Sequence, residues 1–160
     1  MGQAEITTKI ALDSWRGQVA ATDKLFNELT DEDLYTEIAP GKNRGIYLLG
    51  HLTAVHDRML PLLGFQEQKY PHLNEPFLTS PDKATSSIPS AAELRANWKE
   101  VNETLNKHLE GLSPDQWLQK HTSVSEEDFA KEPHRNRLNV VLGRTIHLSN
   151  HLGQLLLLKK

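Results

Sequence analysis

Cysteine is absent from the chain. Disulfides, thiolate metal sites and a cysteine nucleophile are therefore excluded, whatever the compartment. A strong excess of one charge sign is also missing. The net charge of −3 and isoelectric point near 6.2 offer no global attraction for nucleic acid or an anionic membrane. Met1-Gly2-Gln3-Ala4-Glu5 has neither the basic nor the apolar region of a secretory signal. The leucine run Leu155–Leu158 is far too short to span a bilayer, which takes about 20 apolar residues. No internal repeat, low-complexity tract or convincing strand is present. These absences lead us to expect a soluble cytoplasmic protein that acts on neither nucleic acid nor membrane. Its 160 residues are read as a single domain, 1–160, ample for one hydrophobic core.

Helical periodicity is abundant. Leu12, Trp15, Val19, Phe26 and Leu29 form one apolar stripe, predicting a helix over about 7–29. Gly17 inside it points to close packing of another helix. Thr30 is a good N-cap for the acidic turn that follows, and Pro40-Gly41 is a break. A second helix is predicted from Arg44 or Gly45 to Leu63, with Gly64 as its stop. It is apolar over much of its circumference and so expected to be deeply buried. Residues 65–89 carry four prolines and no helical period. A connection of that length usually has a role, here either a crossover along the bundle or a lid over one end. Ser90 and Glu93 begin a third helix with Leu94, Trp98, Val101, Leu105 and Leu109 on one face. Ser113-Pro114 starts a short one. Residues 122–137 read as loop, with Glu126-Glu127-Asp128 as a solvated face, and a fourth long helix covers Leu138–Leu158. The fold class is all-α, a four-helix bundle with long connections.

The fourth helix carries His147 and His151. At i and i+4 their rings leave the same face, roughly 5–6 Å apart at Cβ, and can converge on one metal ion. Val140, Gly143, Arg144, Asn150 and Gln154 share that face, while Leu138, Leu142, Thr145, Leu152 and Leu156 make the other side apolar too, which suggests a pocket within the bundle. On the second helix, His51 lies with Leu48, Val55, Arg58 and Leu62, and His56 is turned about 140° away. Only one of these two can face the same space. If it is His51, the result is an open three-histidine site with a position left for water or substrate, the arrangement of catalytic rather than closed structural sites. Leu148 follows His147, so the glutamate of HExxH is missing, and no Glu-x-x-His pair of a di-iron bundle occurs on the bundle helices.

Gly50-His51-Leu52 on the second helix and His147-x-x-x-His151-x-Gly153-Gln154 on the last resemble the DinB-like (DinB/YfiT) superfamily of four-helix-bundle proteins, and the resemblance extends over essentially the whole chain. It implies that His51, His147 and His151 bind one divalent metal, nickel or zinc first, iron or manganese next. It also implies a metal-dependent thiol S-transferase acting on small electrophiles, with a low-molecular-weight thiol as partner. Metal coordination would lower the thiol's pKa. The alternative is a non-enzymatic, stress-associated binding module with a structural or vestigial metal site. Arg144, Gln154, Arg58 and Tyr47 are the candidates for positioning substrate. Two departures stand out. Leu152 occupies a position where many relatives carry arginine, and Gln154 replaces the glutamate of related iron-dependent sulfoxide synthases. Apolar outer faces are compatible with a homodimer.

Overall fold

The computed structural model describes residues 1–159. The helices are α1 (Gln3–Glu28), α2 (Asp31–Leu34), α3 (Gly45–Leu62), α4 (Ala91–Glu110), α5 (Pro114–Trp117), α6 (Glu126–Lys131) and α7 (Arg137–Leu155). No strand forms among the described residues. The four long helices, α1, α3, α4 and α7, build an all-α bundle around Trp15, Phe26, Leu49, Leu52, Trp98 and Leu148, all buried. In the ring, α3 packs most extensively on α4 and α1 on α7, while the α1–α4 and α3–α7 faces close it.

Helix directions follow from pairs that bridge them. Trp15 Nε1 donates to Asn106 Oδ1 at 3.0 Å, and Arg95 caps the carbonyls of Phe26 and Leu29. Hence α1 and α4 are antiparallel. His56 meets Asn102, and further along Phe65 stacks on His108, so α3 and α4 run in the same sense. His51 meets His147 and His151, while Arg137 Nε donates to the Leu63 carbonyl at 2.9 Å, making α3 and α7 antiparallel.

Two parallel consecutive helices need a connection that returns along the bundle, about 27 Å for the 18 residues of α3. Residues 65–89 are that crossover, and α3 itself pins them down. The fully buried Asp57 carboxylate accepts from the backbone N–H groups of Lys69 and Tyr70, each at 2.8 Å. At the other end of α3, Arg44 grips Asp82 through its backbone N–H (2.9 Å) and its guanidinium (2.6 Å). Between these anchors lie a 3₁₀ turn (Pro71–Leu73) and a π turn (Glu75–Thr79) that buries Phe77.

Three expectations need correction. A Cβ built on Gly17 meets nothing within 4 Å, so that glycine is an exposed helical residue and not a packing contact. Residues 122–137 are not all loop. Ser125 Oγ accepts from Asp128 N at 3.0 Å and opens α6, whose acidic first turn suits a helix N-terminus. Finally, Leu142 and Leu156 are 42% and 51% exposed, so the second apolar side of α7 lies partly on the bundle's outside, not around a pocket.

Candidate metal centre

Each of the three histidines is presented by a long helix with its neighbour in the bundle already fixed. On α3, Gly50 precedes His51. A Cβ on Gly50 would collide with the Phe77 ring, so only glycine lets the crossover come this close. That approach brings the Phe77 carbonyl to 2.9 Å from His51 Nδ1. The Nδ1 proton is thereby held toward the carbonyl, and the Nε2 lone pair of His51 faces α7. On α7, His151 Nδ1 lies 2.7 Å from Gln154 Oε1, three residues on, which fixes the same tautomer. Donation from the far ring nitrogen to a protein acceptor is the usual way a metal-ligating imidazole is oriented.

The inward nitrogens converge. His147 Nε2 is 3.2 Å from His51 Nε2 and 3.1 Å from His151 Nε2. Three nitrogens, each about 2.0–2.1 Å from one ion in tetrahedral arrangement, sit about 3.3 Å apart. Taken as the protein alone, this packing is poorly satisfied. His51 Nε2 and His151 Nε2 both offer lone pairs, and His147 Nε2 carries at most one proton for the two of them. A cation satisfies all three at once. The three ligand atoms lie within 4.8 Å of one another, and the group could hold a divalent metal.

Burial keeps two of the rings, those of His51 and His147, neutral. Burial lowers the His147 pKa to about 4, with the charges of His151, His51 and Arg144 acting in the same direction. Burial also lowers that of His51, outweighing the Phe77 hydrogen bond that raises it, and the charges of His151 and Arg144 add to the lowering. Both imidazoles therefore keep free lone pairs at neutral pH.

The DinB superfamily model matches residues 15–155, a span that takes in all three histidines. The chain belongs to the DinB superfamily. No curated protein matches the chain.

The remaining candidates of this DinB-superfamily chain are placed differently from one another. Gln154 is engaged by His151, so it orients a ring. The Tyr47 hydroxyl donates to the Ser80 carbonyl at 2.8 Å, while its ring lies nearly parallel to that of His51, 13° between planes. Burial raises its pKa. Tyr47 thus braces the crossover behind His51. Arg144 and Arg58 make no ion pair among the described residues and line a groove beside the centre. His56 points away from it, wholly buried between Trp15 and Trp98 and hydrogen-bonded to Asn102 at 2.8 Å. Phe77 was missed by sequence reasoning. Its only signal is as one of three aromatics in a proline-rich segment, which says nothing of where its carbonyl points.

Proposed function

We propose that His51, His147 and His151 hold one divalent ion, nickel or zinc, and that the protein is a metal-dependent thiol S-transferase acting on small electrophiles. The convergence of three Nε2 atoms, with the outer ring nitrogens of His51 and His151 already committed to Phe77 and Gln154, is the observation that carries this reading. An all-imidazole set suits nickel and zinc better than the oxygen-preferring magnesium, calcium or manganese. Three protein ligands leave a position open, where a structural site would be closed by four. When bound, the ion would act as a Lewis acid that favours the thiolate form of an incoming thiol.

The chain's own residues do the rest. Phe77 and Gln154 hold two of the imidazoles, those of His51 and His151, in register. The crossover, braced by Tyr47, packs on α3 beside His51. The sulfur must come from a small molecule, because the chain has no cysteine. In the transfer the thiol proton passes to solvent, the sulfur lone pair forms the new S–C bond, and the leaving group departs with its bonding electrons.

The test is metal analysis of purified protein with His147→Ala and His151→Ala as controls, followed by a screen of the metal-loaded protein with several low-molecular-weight thiols and a chromogenic electrophile. One ion per chain, lost in both variants, and a thiol-dependent rate above that of free metal support the reading. Metal without any such rate favours a non-enzymatic binding module. Metal content unchanged by the substitutions overturns the site itself.

A further inference from the structure

About one helical turn from the histidines, a groove of about 400 Å³ is lined by Val55 and Arg58 of α3 and Arg144 of α7, with Thr122 and Ser123 also on its wall. Its walls present Arg58, Arg144, Gln68, Thr122 and Ser123 over an apolar floor that includes Met59. Gln68 already donates to Asp57 and Asn74, and the Thr122 hydroxyl to the Pro61 and Leu62 carbonyls, so Arg58, Arg144 and Ser123 are the donors left to a ligand, and none of the lining residues is acidic. The carboxylate of Asp57, next to Arg58 in sequence, is turned to the crossover, where it accepts from the N–H groups of Lys69 and Tyr70 and from Gln68 Nε2.

Among the described residues neither guanidinium has an ion-pair partner. Arg144 is only partly exposed, and burial together with the charge of Arg58 lowers its pKa. Two like charges, that of exposed Arg58 and that of half-buried Arg144, are thus brought together with no ion pair among the described residues, an arrangement that favours a bound anion. Sequence spacing aims the pair at the centre. Arg58 lies seven residues beyond His51 on α3, and Arg144 three before His147 on the antiparallel α7. Along the helix axes that is roughly 5–10 Å from the histidines toward the same end of the bundle.

We propose that Arg58 and Arg144 form an oxyanion anchor, so that the site takes a small ligand bearing a carboxylate or phosphate roughly 5–10 Å from its reacting atom. Guanidinium matches both groups through paired N–H donors. This rests on the transferase reading for the word "reacting", but the anchor itself is testable without metal.

The experiment is calorimetric titration of chelator-treated and zinc-loaded protein with succinate and, separately, inorganic phosphate, using the wild type, Arg58→Gln, Arg144→Gln and His147→Ala. In the metal-free wild type, saturable one-to-one binding of at least one anion is expected. Arg144→Gln and Arg58→Gln should each weaken it by about ten-fold to a hundred-fold. His147→Ala should bind the anion as the wild type does, and both arginine variants should keep their zinc. Succinate alone assigns a carboxylate ligand, phosphate alone a phosphoryl ligand, and both a general oxyanion anchor. No saturable binding of either anion to the wild type, or equal binding by the arginine variants, overturns the proposal. Failure of zinc to bind the wild type would instead count against the metal centre and leave the anion result standing.

Discussion

Replacing Gly50 by alanine tests the link between the crossover and the histidines. The added Cβ would stand 2.5 Å from Phe77 Cδ1 and closer still to two other ring atoms. Ordinary carbon contacts are about 3.5–4.0 Å, so the ring must retreat by about 1 Å or more. Phe77 is fully buried, so the retreat has to carry the Glu75–Thr79 turn with it. The Phe77 carbonyl starts 2.9 Å from His51 Nδ1, and a shift of about 1 Å takes it out of hydrogen-bond range. We expect two separable losses. Overpacking should cost about 1–3 kcal/mol of stability in urea unfolding. Loss of the acceptor behind His51 should weaken zinc binding by about ten-fold to a hundred-fold in a chelator competition, roughly 1.4–2.7 kcal/mol. Adding Phe77→Leu to Gly50→Ala removes much of the ring and should restore part of both, giving a positive coupling in the double-mutant cycle. Gly17→Ala, in open space on α1, is the control and should be neutral or stabilise by up to about 1 kcal/mol. Gly50→Ala with wild-type zinc affinity would refute the reasoning, even if the variant were less stable.

Other outcomes follow from the same contacts. Gln154→Leu removes the acceptor of His151 Nδ1 and should lower zinc affinity by about ten-fold to a hundred-fold with little change in melting temperature, read by the same competition. Asp57→Ala leaves two crossover N–H groups without their charged acceptor. It should cost about 3 kcal/mol and make residues 65–89 more sensitive to limited proteolysis. Burial holds His56 at a pKa of about 3 in the fold, against 6.5 when unfolded. Between these values the unfolded chain binds the extra proton. Stability from this residue should therefore be complete above pH 6.5 and fall by about 1.4 kcal/mol per unit as pH drops toward 3, a slope that His56→Gln should flatten in urea unfolding.

Much of the architecture could be read along the chain because it is local. The stripes of Leu12-Trp15-Val19 and Leu94-Trp98-Val101, the caps at Thr30, Ser90 and Ser113, and the stop at Gly64 each set an element by short-range physics. The i, i+4 spacing of His147 and His151 is local too, which is why that half of the centre was legible. Ser125 with Glu126, Glu127 and Asp128 carries the same kind of signal, an N-cap before an acidic first turn, but α6 buries no residue, so the run reads as a solvated face. What periodicity could not supply was long-range. The exposure of Gly17 depends on what lies beside α1. The engagement of Tyr47 with Ser80 depends on the path of the crossover. The meaning of Gly50 lies in Phe77, 27 positions away in a segment with no period. The glutamine of the last-helix motif looked like a group for substrate, yet its oxygen is 2.7 Å from His151 Nδ1. Side-chain direction at that scale is decided by rotamers, and spacing does not encode them.

The central claim is that three imidazoles from α3 and α7 share one ion. X-ray absorption of the zinc-loaded protein addresses it directly, because imidazole rings leave a countable outer-shell scattering pattern. Three imidazole nitrogens at about 2.0–2.1 Å, falling to two in His51→Ala, is the result expected. A zinc shell of one imidazole or none, or a wild-type spectrum unchanged by His51→Ala, would contradict it.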